Sequence, residues 1–151
     1  MNDRYLFRAK RIDNGEWVEG SLFAEGKITK IIRGTCNTIG IEGVDVNPET
    51  ICQCTGLKDK NGNLIWENDI VEIVSSPKRS YKYLIWWNRE MSLTDAVPLD
   101  GIDFNGHDYW NGNYPNFHYE TFCAMMQDPW GDFSDIKVIG NIFDNPELMY
   151  E

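Results

Sequence analysis

The only two histidines of the chain stand near carboxylates: His107 beside Asp108, with His118 and Glu120 eleven and twelve residues further on. Imidazole and carboxylate together can ligate a metal or move a proton. The spacing supports neither strongly, because adjacent side chains rarely converge on one point and no His-x-x-x-His or Cys-x-x-Cys pattern accompanies them. A weak metal or enzyme site at His107 and His118 is therefore the third of three functional readings. Cys52 and Cys54, two apart in an extended run, turn their thiols to one face and offer another pair of metal ligands. Cys-x-Cys alone is a weak signal, and two buried thiols are the competing reading. With Cys36 and Cys123 the four cysteines would suffice for two disulfides. A chain of 151 residues with 13% aromatic side chains needs no such staples, so all four are read as reduced.

A third group has the character of a contact surface. Tyr109, Trp110, Tyr114 and Phe117 stand among asparagines and glycines, with Asp103 and Asp108 nearby. Exposed tyrosine and tryptophan anchor protein interfaces or stack on sugars and bases. Alternatively, a long loop covers itself with its own rings in order to stay ordered. Neither a Gly-x-Gly-x-x-Gly fingerprint, a Walker loop nor a Gly-x-Ser-x-Gly elbow occurs. Lys58-Asp59-Lys60 reads as a solvated turn rather than a phosphate clamp. No catalytic constellation and no cofactor are expected.

Charge narrows the choice of partner. Residues 1–33 hold seven Lys/Arg and five Asp/Glu, residues 34–94 six and eight, and residues 95–151 one and eleven, so the last third carries the net charge of −10. Binding to a nucleic-acid backbone requires clustered cations and is not expected. The acidic third is either a solvated face or a surface offered to a basic partner. No apolar run is long enough to span a membrane and no basic-then-apolar start marks a signal peptide, which predicts a cytoplasmic protein.

The elements that must position these residues are short strands. Tyr5 to Lys10 and Glu16 to Phe23 form a hairpin across Asp13-Asn14-Gly15, and Lys27 to Ile32 extends it after Glu25-Gly26. The inner face of this meander carries Phe7, Trp17 or Val18, and Ile31; a slip of one residue exchanges the faces, so the sequence leaves the choice open. Loops follow, with a brief strand near Ile39-Gly40-Ile41, and Asn47-Pro48-Glu49-Thr50 makes a single helical or tight turn. Ile51 to Thr55 is extended. Asn61-Gly62 predicts a two-residue hairpin turn with positive φ at both positions. Leu64-Ile65-Trp66, Ile70 to Val74 and Tyr81 to Trp87 are strands, the last two antiparallel and the last buried on both sides. From Thr94 to Gly131 the regular pattern is lost apart from a helical stripe at Tyr119, Phe122, Cys123 and Met126. Ile136 to Phe143 is a strand interrupted at Gly140, and Asp144-Asn145 caps a short helical turn.

Together these predict a mainly β protein: an N-terminal antiparallel meander, residues 1–54, packed on a small SH3-like or bent-sheet barrel, residues 55–151, with a helix-containing aromatic and acidic insertion at about 95–135. Gly56, Gly62 and Gly140 would serve its tight bends.

Three blocks carry a resemblance. Thr55-Gly56-Leu57-Lys58-Asp59-Lys60-Asn61-Gly62 with Ile65-Trp66-Glu67-Asn68-Asp69-Ile70-Val71 resembles the centre of the YopX family of phage and prophage proteins. Phe7-Arg8-Ala9-Lys10 with Gly15-Glu16-Trp17-Val18-Glu19-Gly20, and Val138-Ile139-Gly140-Asn141-Ile142-Phe143-Asp144-Asn145-Pro146-Glu147-Leu148, are similar to its two end blocks. The chain departs in having Asn68 where family members often have glycine, and in the long aromatic stretch 95–131. The resemblance implies a small phage-encoded protein of the host cytoplasm, without an established activity and capable of forming an oligomer. It supplies no catalytic residues. The expectation is a non-enzymatic interaction module meeting an unidentified host or phage protein, with an acidic decoy for a nucleic-acid-binding protein as the second reading.

Overall fold

The computed structural model describes residues 5–33, 43–76, 79–88, 93–99 and 136–150. The protein is mainly β, with two antiparallel sheets, and divides into two units, Met1–Leu57 and Lys58–Glu151. The longest helical segment among the described residues is the five-residue 3₁₀ helix Pro146–Tyr150.

In the first unit β1 (Phe7–Lys10), β2 (Trp17–Glu25), β3 (Ile28–Ile32), β4 (Val44–Asp45) and β5 (Cys52–Lys58) lie in the order β4-β3-β2-β1-β5. Register settles which face is inside. Ala9 opposes Val18 and Leu22 opposes Ile31. Ala9, Val18, Ile31 and Val46 form the buried cluster, flanked by Phe7, Leu22, Val44 and Ile51. Val18, not Trp17, is therefore the inward residue of the pair. Directly opposed residues share a face, so Arg8, Lys10, Trp17 and Glu19 all lie on the other side.

The turn at Asn47 fastens this sheet to the chain that follows. Asn47 caps the 3₁₀ turn Pro48–Thr50 by accepting from the Glu49 N–H at 3.0 Å. The backbone of Lys10 is gripped on both sides: its N–H donates to Thr50 Oγ1 at 2.8 Å, and its carbonyl accepts from Asn47 N–H at 2.8 Å. β4, which sequence patterning passes over, follows from Val44 pairing with Ile31 and Asp45 with Lys30. A two-residue strand carries too little alternation to be read from the chain alone.

In the second unit β6 (Leu64–Trp66) precedes a sheet ordered β10-β7-β8-β9, with β7 (Asp69–Ser76), β8 (Arg79–Asn88), β9 (Leu93–Pro98) and β10 (Ile136–Asn141). β9 and β10 occupy opposite edges, so the strands make an open sheet rather than a closed barrel. A register shift between Val138 and Gly140 supplies the irregularity expected near Gly140, and a second shift lies between Val74 and Ser76 in the pairing of β7 with β8. β9 corrects the expectation that regular structure ends at Thr94. Its Pro98 lacks an N–H and is tolerated on an edge strand, opposite Tyr83.

Burial on both sides also falls on a different strand from the one expected. Consecutive Ile70 and Val71 on β7 are both fully buried, whereas on β8 Tyr83 and Ile85 are buried but Trp86 and Trp87 stay 40% and 44% exposed. The expected brief strand near residue 40 and the helix at Tyr119 to Met126 lie outside the described residues.

Candidate functional site

The interaction candidates Asp103, Asp108, Tyr109, Trp110, Tyr114 and Phe117, and the imidazoles His107 and His118, lie outside the described residues. Chemistry-bearing side chains within them fall into three places: the thiols of β5, the carboxylates of the 59–69 region, and the aromatic residues of the strands.

Cys52 and Cys54 share one face of β5, as the spacing predicts, and both are buried reduced thiols. Each sulfur is engaged locally. Cys52 Sγ donates to the Thr50 carbonyl at 3.3 Å, and Cys54 Sγ accepts from Gly56 N–H at 3.4 Å. Among the described residues no group of three or more His, Cys, Asp or Glu is arranged to hold a metal.

Asp59 is not the solvated turn residue that its lysine neighbours suggest. It is 7% exposed, and its carboxylate is ringed by donors. Oδ1 accepts from Asn61 N–H and Asn63 N–H, both at 2.9 Å, and Oδ2 from Val138 N–H at 3.0 Å and Asn63 Nδ2 at 3.4 Å. Lys60 N–H donates to the Ile136 carbonyl at 2.9 Å, so the turn lies along β10 with the Asp59 side chain standing in for a strand carbonyl. Burial on its own raises the carboxyl pKa. The N–H groups of Val138, Asn63 and Asn61 outweigh it and hold the pKa below the usual aspartate range.

The same hydrogen bonds correct the turn type. Gly62 N–H donates to the Asp59 carbonyl at 3.0 Å, and Asp59 N–H to the Asn63 carbonyl at 2.8 Å. This is a three-residue hairpin loop with a bulge at Gly62, whose φ is +82°, while Asn61 stays out of the left-handed region. An aspartate before the turn selects this form, because its carboxylate collects the N–H groups of residues two and four positions on.

Asp69 is 1% exposed and accepts from Trp66 N–H at 2.8 Å, closing the turn between β6 and β7. Within that turn Asn68 has φ +69°, the left-handed conformation that asparagine tolerates best after glycine. The Asn68 N–H donates to the Ile85 carbonyl and its carbonyl accepts from Ile142 N–H at 3.1 Å, tying β8 and the end of β10 to one turn. Beyond β10, Asn141 Oδ1 accepts from Phe143 and Asp144 N–H at 3.0 and 2.9 Å, and Asn141 Nδ2 donates to Asp144 Oδ2 at 3.1 Å. These polar groups hold backbone turns, and a carboxylate encircled by N–H donors, as in Asp59, is a poor proton acceptor.

The aromatic sites differ in character. Trp17 lies under Arg8, with the guanidinium carbon 4.4 Å from the ring centre, and Lys10 Nζ is 5.4 Å from it. These are cation–π distances. The grouping was legible in outline: Arg8 and Lys10 alternate onto one face of β1, and the hairpin register sets Lys10 opposite Trp17. Trp86 and Trp87 show large apolar rings on β8.

The YopX protein family profile matches residues 6–150, which takes in all three blocks that carry the resemblance. A comparison with curated proteins finds no match. With the profile spanning essentially the whole of it, the chain belongs to the YopX family.

Proposed function

We propose that this protein is a non-enzymatic interaction module, a phage- or prophage-encoded accessory protein that works in the cytoplasm of its bacterial host and meets a protein partner. The observation that carries the reading is the pair Trp86 and Trp87, 40% and 44% exposed on β8. Tryptophan is enriched among the residues that dominate protein interfaces. The sequence stretch containing Tyr109, Trp110, Tyr114 and Phe117 holds further side chains of the same chemistry. A homo-oligomer is one form such contacts take.

A specific observation favours a second reading. Residues 95–151 hold eleven acidic and one basic side chain, the balance expected of an acidic decoy that offers carboxylates in place of phosphates to a nucleic-acid-binding protein.

Salt separates the two. Retention of a host protein on the immobilised chain as salt rises from about 0.1 to 0.5 M, where exposed charges are screened, supports the aromatic interface. Its loss on Trp86→Ala or Trp110→Ala is required as well. Release by salt with both variants binding normally sinks the aromatic reading and favours the decoy.

A further inference from the structure

We infer that Asn61 is a site of spontaneous covalent modification: it deamidates through its bond to Gly62, at a rate governed by the grip of Asp59 on the turn. Two Asn-Gly steps lie among the described residues, and their surroundings differ. The Asn14 amide is held at both ends, Oδ1 accepting from Glu16 N–H at 2.9 Å and Nδ2 donating to Glu16 Oε2 at 3.3 Å. Asn61 is exposed, and among the described residues its side chain makes no hydrogen bond, leaving its carbonyl carbon free to turn toward the following nitrogen. Both glycine N–H groups are occupied, Gly15 by the Arg11 carbonyl and Gly62 by the Asp59 carbonyl, each at 3.0 Å. The distinction lies in the amide being attacked.

The reaction needs only water. Once the turn opens and Gly62 N loses its proton, that nitrogen attacks Asn61 Cγ. The new N–C bond closes a five-membered imide, and the side-chain nitrogen leaves as ammonia. Water then opens the imide at either carbonyl to give aspartate or isoaspartate, with no oxidation or reduction. Glycine at the second position is what makes the attack accessible, since no Cβ obstructs the nitrogen. Opening requires Gly62 N–H to leave the Asp59 carbonyl, and the Asp59 carboxylate resists this through its bonds to Asn61 and Asn63 N–H. Either product places a new carboxylate in the segment that docks on Ile136 and Val138 of β10, and isoaspartate also lengthens the backbone there by one methylene. Amide protons of Lys60 and Val138 therefore lose protection as the protein ages.

The test is incubation of the full chain at mildly alkaline pH under native conditions, followed by peptide mapping of amide-to-acid conversion at both steps. Asn61 is expected to convert several-fold faster than Asn14, and Asp59→Ala to raise the Asn61 rate by at least about tenfold, the factor that follows from losing one hydrogen bond to a charged acceptor. The rate at Asn14 should not change. Equal or faster conversion of Asn14 in the unaltered protein overturns the inference, and that comparison needs no variant to fold. An unchanged Asn61 rate in a folded Asp59→Ala protein overturns the role given to Asp59.

Discussion

The Asp59 carboxylate joins residues that lie 79 positions apart, because the N–H it accepts from Val138 belongs to the last strand of the chain. Replacing it with alanine leaves the backbone N–H groups of Asn61, Asn63 and Val138 without their acceptor, a cost of about 2–4 kcal/mol in urea denaturation. Acid should reproduce part of this. The folded pKa of Asp59 is lowered, so its contribution is fully present above the unfolded aspartate value of about 3.9 and is lost as pH falls through the folded value. The stability difference between the natural chain and Asp59→Asn should therefore narrow in that window; a difference independent of pH down to acid unfolding would refute it. Asn68 belongs to the same scale. With φ at +69°, Asn68→Gly should be tolerated, whereas Asn68→Val should cost about 1–2 kcal/mol, read from the shift in denaturation midpoint.

At the scale of elements, close approach of backbones decides more than strand propensity does. A Cβ built on Gly20 of β2 runs into the Ile32 carbonyl oxygen of β3, and backbone cannot swing aside as a side chain can. Gly20→Ala should then destabilise the first unit by about 1–3 kcal/mol through forced separation of the two strands. Gly140 is a milder case, since a Cβ there meets the Asn145 side chain at 2.5 Å, and that side chain can rotate at the loss of a 3.4 Å contact with Asn141 N–H. Thermal melts of the two variants should rank Gly20→Ala as the less stable. The reverse order would mean that the bulge in β10, not the β2–β3 approach, sets the tolerance. Much of this scale was legible from the chain: the hairpins, β6 and the interruption of β10 at Gly140 all stand where turn residues and alternation put them. The loop type at Asn61-Gly62 did not, because Asp59, two residues before the dipeptide, recruits its N–H groups into a different turn.

The whole molecule carries a net charge of −10 and an isoelectric point near 4.6. Charge repulsion that keeps copies apart at neutral pH vanishes there. Solubility should pass through a minimum at about pH 4.6, as light scattering would show, while circular dichroism still reports a folded protein, because Asp59 stays ionised until the pH falls further. Unfolding that precedes or accompanies the scattering would place the acid-sensitive contacts elsewhere.

What the amino-acid order determined by itself was local: most of the segments that extend, where they reverse, and which family the chain belongs to, because alternation and turn chemistry act over a few residues. Tertiary structure decided which face of each strand is inside. Trp17 and Val18 are adjacent apolar residues, and a pattern of period two reads equally well after a slip of one; only the pairing of Ala9 with Val18 and of Leu22 with Ile31 selects one face. It also decided that Asp59, flanked by lysines in a sequence that spells a solvated turn, is buried against β10, since the N–H that makes burial favourable comes from the far end of the chain.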